Sequence, residues 1–188
     1  RIRNDKKALT SYISEKEAGI QQLEKIIKRV LEDKARFERE LRIRQQQETL
    51  KTKSFRALRG QLPWPADGRV ISKFGRQWNP KLKTTTENPG IDIKGKPGSS
   101  IRTVLGGVVT TITYIRGYGT TIIVDHGGGF YTVYSHVTNI QTNVDSQVRN
   151  GDVIAYMGDT GSINGAKLHF EIWGEGKKLN PENWLRKR

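Results

Sequence analysis

Apolar residues in the first part of the chain fall on a seven-residue grid. Ile13, Ile20, Ile27 and Leu41 share one seam position, and Ile2, Leu9, Leu23, Val30 and Phe37 share the other. A stripe with that period, sustained over several heptads, predicts an α-helical coiled coil, because each seam residue comes back to the same side of the helix. Lys6, Lys16, Lys34 and Arg44 interrupt the grid, which weakens pairing and can set its register. Between 42 and 53 the seam fades into Gln45-Gln46-Gln47 and charged side chains, so fraying or a bend is expected there. About fifty helical residues would make an arm of roughly 75 Å. A following domain of about 130 residues, with a radius of gyration of roughly 14 Å, is too small to cover it. The stripe is therefore expected to need a partner, an antiparallel helix from chain upstream, a second copy, or another protein's coiled coil, with one amphipathic helix packed along its own domain as the alternative.

At Gly60 the pattern changes. Residues 1–59 hold no proline and one glycine, Gly19, whereas glycine and proline recur every few residues afterwards. The runs between them alternate apolar and polar positions, the mark of strands with one buried face. Strands are expected near 69–74, 91–94, 108–115, 120–125, 130–135, 153–157 and 167–173. Gly117-Tyr118-Gly119 and Gly127-Gly128-Gly129 read as hairpin turns, where glycine tolerates positive φ. A helical turn is expected near 181–185. The chain thus divides into a helical arm, 1–59, and an antiparallel, mainly β domain, 60–188.

Charge adds a constraint on partners. The net charge is +14, with 17 basic against 9 acidic residues in 1–59 and 16 against 10 in 60–188. A basic chain suits an anionic partner such as the acidic peptidoglycan wall or an anionic lipid surface. Nucleic acid is not expected, since no motif for it is present and the aromatics sit in strand-like runs. Cysteine is absent, which excludes disulfides and a thiol nucleophile. Because residue 1 is Arg and the helical pattern is already running at Ile2, a longer parent chain with a targeting signal upstream is expected.

Several motifs, in order, carry a resemblance: Leu62-Pro-Trp-Pro-Ala-Asp-Gly-Arg-Val-Ile-Ser-Lys-Phe-Gly75, Gly90-Ile-Asp-Ile93, Asp125-His-Gly-Gly-Gly129, Tyr134-Ser-His-Val137, Val148-Arg-Asn-Gly-Asp-Val-Ile154, Gly158-Asp-Thr-Gly161 and Leu168-His-Phe-Glu-Ile172. Over about 61–185 the chain resembles the LytM, or lysostaphin-type, peptidoglycan endopeptidase domain, which implies a barrel-sandwich hybrid fold. A coiled-coil arm ahead of such a domain is similar to envelope proteins of the EnvC type, whose LytM domains activate cell-wall amidases.

The resemblance also implies a zinc site, and here it is damaged. Active members place a histidine ligand four residues before an aspartate ligand, and take the last ligand from the second histidine of a His-x-His strand. In this chain those positions are Asn88, Asp92 and His169. Zinc wants three protein ligands of histidine, thiolate or carboxylate type and an open fourth position. Asn88 offers only a neutral amide oxygen. The two histidines that flank the catalytic water in active members correspond to His136, which survives, and Lys167, which does not. Lys167 lies two residues before His169, so strand periodicity puts both on one face, with a positive charge near the place of a cation. No metal, no cofactor and no catalysis are expected. Glu171 shares that face but belongs to the structural strand in the family pattern, and His126 is read as structural.

The expected role is a non-catalytic LytM factor that activates peptidoglycan amidases in wall remodelling or cell division, in the periplasm or cell envelope. Its binding groove would include Asn88, Asp92, His136, Lys167, His169 and a rim of Trp78, Arg76, Lys81 and Lys83, with Trp78 in an exposed loop over 76–87. Its partners would be an amidase or peptidoglycan itself, and a membrane or division-complex protein through the coiled coil. The alternative is a zinc endopeptidase cutting peptidoglycan cross-bridges, with zinc on Asp92 and His169.

Overall fold

A computed structural model describes residues 2–80, 83–162 and 165–188, with side chains described from Gly19 onward apart from 23, 48–52 and 79. By their internal contacts the residues form two compact units, Arg1–Gln47 and Glu48–Arg188.

The first unit is helical, part of α1 (Ile2–Ala57). Seam residues Ile20, Ile27, Val30, Phe37 and Leu41 are all between 47% and 65% exposed. The seam positions Ile2, Leu9, Ile13 and Leu23 lie outside the described side chains. Among the described residues no helix is long and apolar enough to cross a membrane.

The second unit is built of short strands. In chain order they are β1 (Arg69–Ser72), β2 (Gly75–Asn79), β3 (Thr84–Asn88), β4 (Ile91–Lys94), β5 (Ser100–Arg102), β6 (Gly107–Ile115), β7 (Gly119–Gly127), β8 (Phe130–Ser135), β9 (Val137–Thr138), β10 (Gln147–Val148), β11 (Val153–Met157), β12 (Leu168–Gly174) and β13 (Lys177–Leu179). The main sheet is antiparallel and runs β1-β4-β12-β8-β7-β6-β10, with β13 beside β12. A smaller sheet, β5-β11-β9, packs over its inner face, and β2 and β3 form a separate ribbon.

Period-2 alternation explains the core. On β12, Leu168, Phe170 and Ile172 are fully buried, as are Ile91 and Ile93 on β4 and Ile122 and Val124 on β7. They meet Ile101, Ile154 and Met157 of the small sheet's strands. At about 25 cal/mol per Å² of apolar surface, each such side chain contributes roughly 2 kcal/mol. The last turns of α1 join this core: the Phe55 ring stacks on Phe130 at 4.0 Å and meets Trp184 at 5.1 Å. The expected turn near 181–185 is a 3₁₀ turn, Pro181–Asn183, whose Asn180 side chain accepts from the Glu182 amide at 3.0 Å.

The 76–87 segment corrects the sequence reading. It was expected as a loop, but β2 and β3 pair from Gly75↔Asn88 to Asn79↔Thr84. Both faces of most of this ribbon are exposed, so no alternation marks it. Its strand character comes from the backbone ladder and the β-branched Thr84, Thr85 and Thr86. Trp78 stands on it, 62% exposed.

Candidate functional site

The same alternation that buries Leu168 and Phe170 turns His169 and Glu171 to the opposite face of the sheet. Register brings Asp92 of β4 directly opposite His169, with Ser135 of β8 on its other side. Gly90 lets β4 start this close to β12, since a Cβ there would sit 2.2 Å from the Phe170 carbonyl oxygen. Side chains from five segments gather around the result, a groove of about 200 Å³ lined by Ser72, Asn88, Asp92, Tyr118, His136, Lys167 and His169 among others.

Its floor is a chain of opposite charges. Lys167 Nζ donates to Asp92 Oδ2 at 2.7 Å, and His169 Nδ1 lies 2.7 Å from Asp92 Oδ1. On its far side, His169 Nε2 lies 2.9 Å from Glu171 Oε1, and Trp173 Nε1 donates to Glu171 Oε2 at 2.6 Å. Ionised carboxylates only accept, so two of them on one ring favour the doubly protonated form of His169. Burial opposes each of these charges, but the bonds outweigh it. Asp92 and Glu171 stay below their ordinary values of 3.8 and 4.5 because His169, with Lys167 or Trp173, holds them, and His169 rises above 6.5 because two carboxylates face it.

This gives a pH prediction. His169 is raised, so its contribution is complete below pH 6.5 and is lost as pH climbs through its folded value. His126 and His136 are lowered, chiefly by burial, and act with the opposite sign, so the His169 effect must be isolated by difference. Urea unfolding of the chain and of His169→Gln is expected to show a gap of about 2 kcal/mol at pH 5.5. The gap narrows toward pH 9. A gap independent of pH would contradict the imidazolium.

Asn88 faces inward and is satisfied locally. Its amide nitrogen donates to Ser72 Oγ at 2.9 Å, and its oxygen accepts from the Gly90 amide at 3.1 Å. His136 sits at the end of β8 with φ of 62°, and its Nδ1 lies 2.7 Å from the Thr160 carbonyl, which fixes the hydrogen on Nδ1. Thr160 is itself clamped, since its hydroxyl donates to the Val137 carbonyl at 3.1 Å and accepts from the Thr120 amide at 3.2 Å. Tyr118, read in the sequence only as a turn residue, packs edge-on to His169 with ring centroids 5.3 Å apart. It also borders an apolar trough of about 550 Å³ along the sheet's outer face, where Ile123, Val133 and Trp173 line the floor.

Arg76, Trp78 and Lys83 lie exposed on or beside the ribbon, and Lys81 falls outside the described residues. His126 is remote from this cluster. Its ring nitrogens engage the Gly106 carbonyl at 2.9 Å and Thr132 Oγ1 at 2.8 Å, beside a polar cleft of about 770 Å³ at the Gly127–Gly129 turn. Size alone would favour that cleft, which Asp125, Arg149 and Asp152 also line, but the motif residues Asn88, Asp92, His136, Lys167 and His169 gather in the smaller groove.

The family model for peptidase family M23 matches residues 86–181, the span that carries this groove. The chain belongs to peptidase family M23. Among its M23 relatives is "Murein hydrolase activator EnvC" of Escherichia coli, 33% identical over 129 residues, 69% of this chain and 30% of that protein. Another is "Murein hydrolase activator NlpD" of Salmonella dublin, 38% identical over 126 residues, 66% of this chain and 31% of that protein. The chain thus spans about a third of the length of these relatives. Of solved structures, Helicobacter pylori Csd3 superposes with a TM-score of 0.58 at 27% identity, over 68% of this chain and 35% of that one.

The M23 site of this chain does not fit zinc. Lys167 already supplies Asp92 Oδ2 with a cation at 2.7 Å, His169 Nδ1 is turned to the other Asp92 oxygen, and Asn88 offers only a neutral amide oxygen that already accepts from Gly90. Among the described residues no three His, Cys, Asp or Glu side chains form a metal-holding group, and no buried side-chain nitrogen or oxygen lacks a partner.

Proposed function

We propose that this chain is a non-catalytic M23 factor that activates a peptidoglycan amidase in wall remodelling or cell division. One observation carries the reading: Lys167 is salt-bridged to the carboxylate that would have to bind metal. Zinc chemistry needs that carboxylate and an activated water beside it. The names of the EnvC and NlpD relatives support an activator role, and murein in those names supports a site of action in the cell envelope. The groove and the adjoining apolar trough supply a surface for a partner, and the exposed Arg76, Trp78 and Lys83, with Lys81 between them in sequence, are proposed as its rim.

The helical arm extends the proposal. Its exposed stripe of Ile20, Ile27, Val30, Phe37 and Leu41 suits a coiled-coil partner that links the factor to a membrane or division complex.

The test is reconstitution with purified amidase and peptidoglycan. Reversing Arg76, Lys81 and Lys83 to glutamate is expected to lower amidase stimulation about tenfold while thermal unfolding stays unchanged, because rim charges steer association more than they hold a fold. Full stimulation by the triple variant would remove this surface from the mechanism. The rival reading, a zinc endopeptidase, draws on the survival of Asp92, His136 and His169 around one groove. Release of new amino groups from peptidoglycan by the chain alone, blocked by a chelator, would establish it instead.

A further inference from the structure

The misfit with zinc has a positive side. Lys167, just before β12, and His169 on it point to the two oxygens of one carboxylate, both at 2.7 Å. The Asp92 and Lys167 side chains are only 13% and 14% exposed, so this is a sheltered pair and not a solvated surface bridge. The Lys167 ammonium gives the Asp92 carboxylate its counter-charge without any ion from solution. A carboxylate this sheltered needs a cation, and an unpaired one costs several kcal/mol.

We propose that the Lys167 ammonium is the resident cation of this groove, a covalently tethered substitute for a divalent metal that ties β12 to β4 and keeps metals out. A divalent ion could take the place beside Asp92 Oδ2 only by displacing an ammonium that cannot leave the chain. The bridge spans 75 residues of sequence, so it also closes the sheet where metal coordination would otherwise do so.

The consequence is an exchange of one cation for another. In the full chain, neither zinc at 100 µM nor a chelator is expected to move the unfolding temperature. Lys167→Met keeps the length of the side chain and removes its charge, and its unfolding temperature is expected to fall. It then frees Asp92 Oδ2 inside a groove of about 200 Å³, with room for an ion. Zinc at 100 µM is expected to recover about 4 °C of the loss in this variant, the shift for a site with a dissociation constant of order 10 µM. Lys167→Arg, which keeps the charge, is expected to remain stable and unresponsive to zinc.

A Lys167→Met variant as stable as the parent, or one that zinc does not help, overturns the proposal. Should Lys167→Met fail to fold, equilibrium dialysis of the parent chain against zinc still decides: no uptake at 100 µM agrees, and stoichiometric uptake overturns. None of these readouts involves an amidase. Loss of amidase stimulation with the metal behaviour intact would therefore sink the activator reading alone.

Discussion

Gly119→Ala is expected to cost about 3 kcal/mol or more of unfolding free energy, and to take amidase stimulation with it. Gly119 has φ of +68°, a conformation that costs an L-residue roughly 1–2 kcal/mol. A Cβ there would also stand 1.9 Å from the Thr160 carbonyl oxygen, and neither backbone can yield without breaking the β7 start or the 158–162 turn. That carbonyl is the acceptor for His136 Nδ1, so the disturbance passes directly into the groove. Gly117→Ala is the control. Its φ of +86° is equally left-handed, but no atom lies within 4 Å of the added methyl, so only the backbone strain of about 1 kcal/mol remains. Guanidinium unfolding of both variants measures the difference. Equal losses at the two positions would mean that the Thr160 contact is not rigid.

Asp92→Ala is the second large effect, expected near 3 kcal/mol, because it leaves the sheltered Lys167 ammonium without its carboxylate and His169 with Glu171 as its one acidic partner in the groove. Asp92→Asn keeps the shape and one hydrogen bond and should cost less. Combining Asp92→Ala with Lys167→Met relieves the orphaned ammonium, so the double variant is expected to be more stable than the sum of the single losses by about 1–2 kcal/mol. Strict additivity would show that the 2.7 Å bridge carries no coupling energy and would weaken the case for Lys167 as a resident cation.

Much of the fold was legible because it follows alternation and turn chemistry. The segments at 91–94, 130–135 and 153–157 coincide with β4, β8 and β11, and the two glycine clusters lie at the β6–β7 and β7–β8 turns. The ribbon of β2 and β3 escaped because exposure on both faces erases the alternation that marks a strand. The short strands β5, β9 and β10 escaped because two or three residues carry too little pattern to register. Of the candidate site, Asn88, Asp92, His136, Lys167 and His169 were named from motif position, and one groove does bring them together. Tyr118 and Thr160 were missed, since a turn tyrosine and a loop carbonyl leave no chemical signature in a sequence.

What the sequence determined by itself is the change from a helical to a mainly β pattern near Gly60 and the positions and faces of the longer strands, because these depend on residue type and local period. It also placed Lys167 on the face of His169, and read its charge only as an obstacle to a metal. The tertiary structure decided what that charge does. Only the β4–β12 register sets Asp92 opposite His169 and within 2.7 Å of Lys167, and only burial makes the pairing obligatory. Partners 75 residues apart meet through strand register, which no local pattern encodes, and the sign of their interaction depends on a distance that exists only once the sheet has formed.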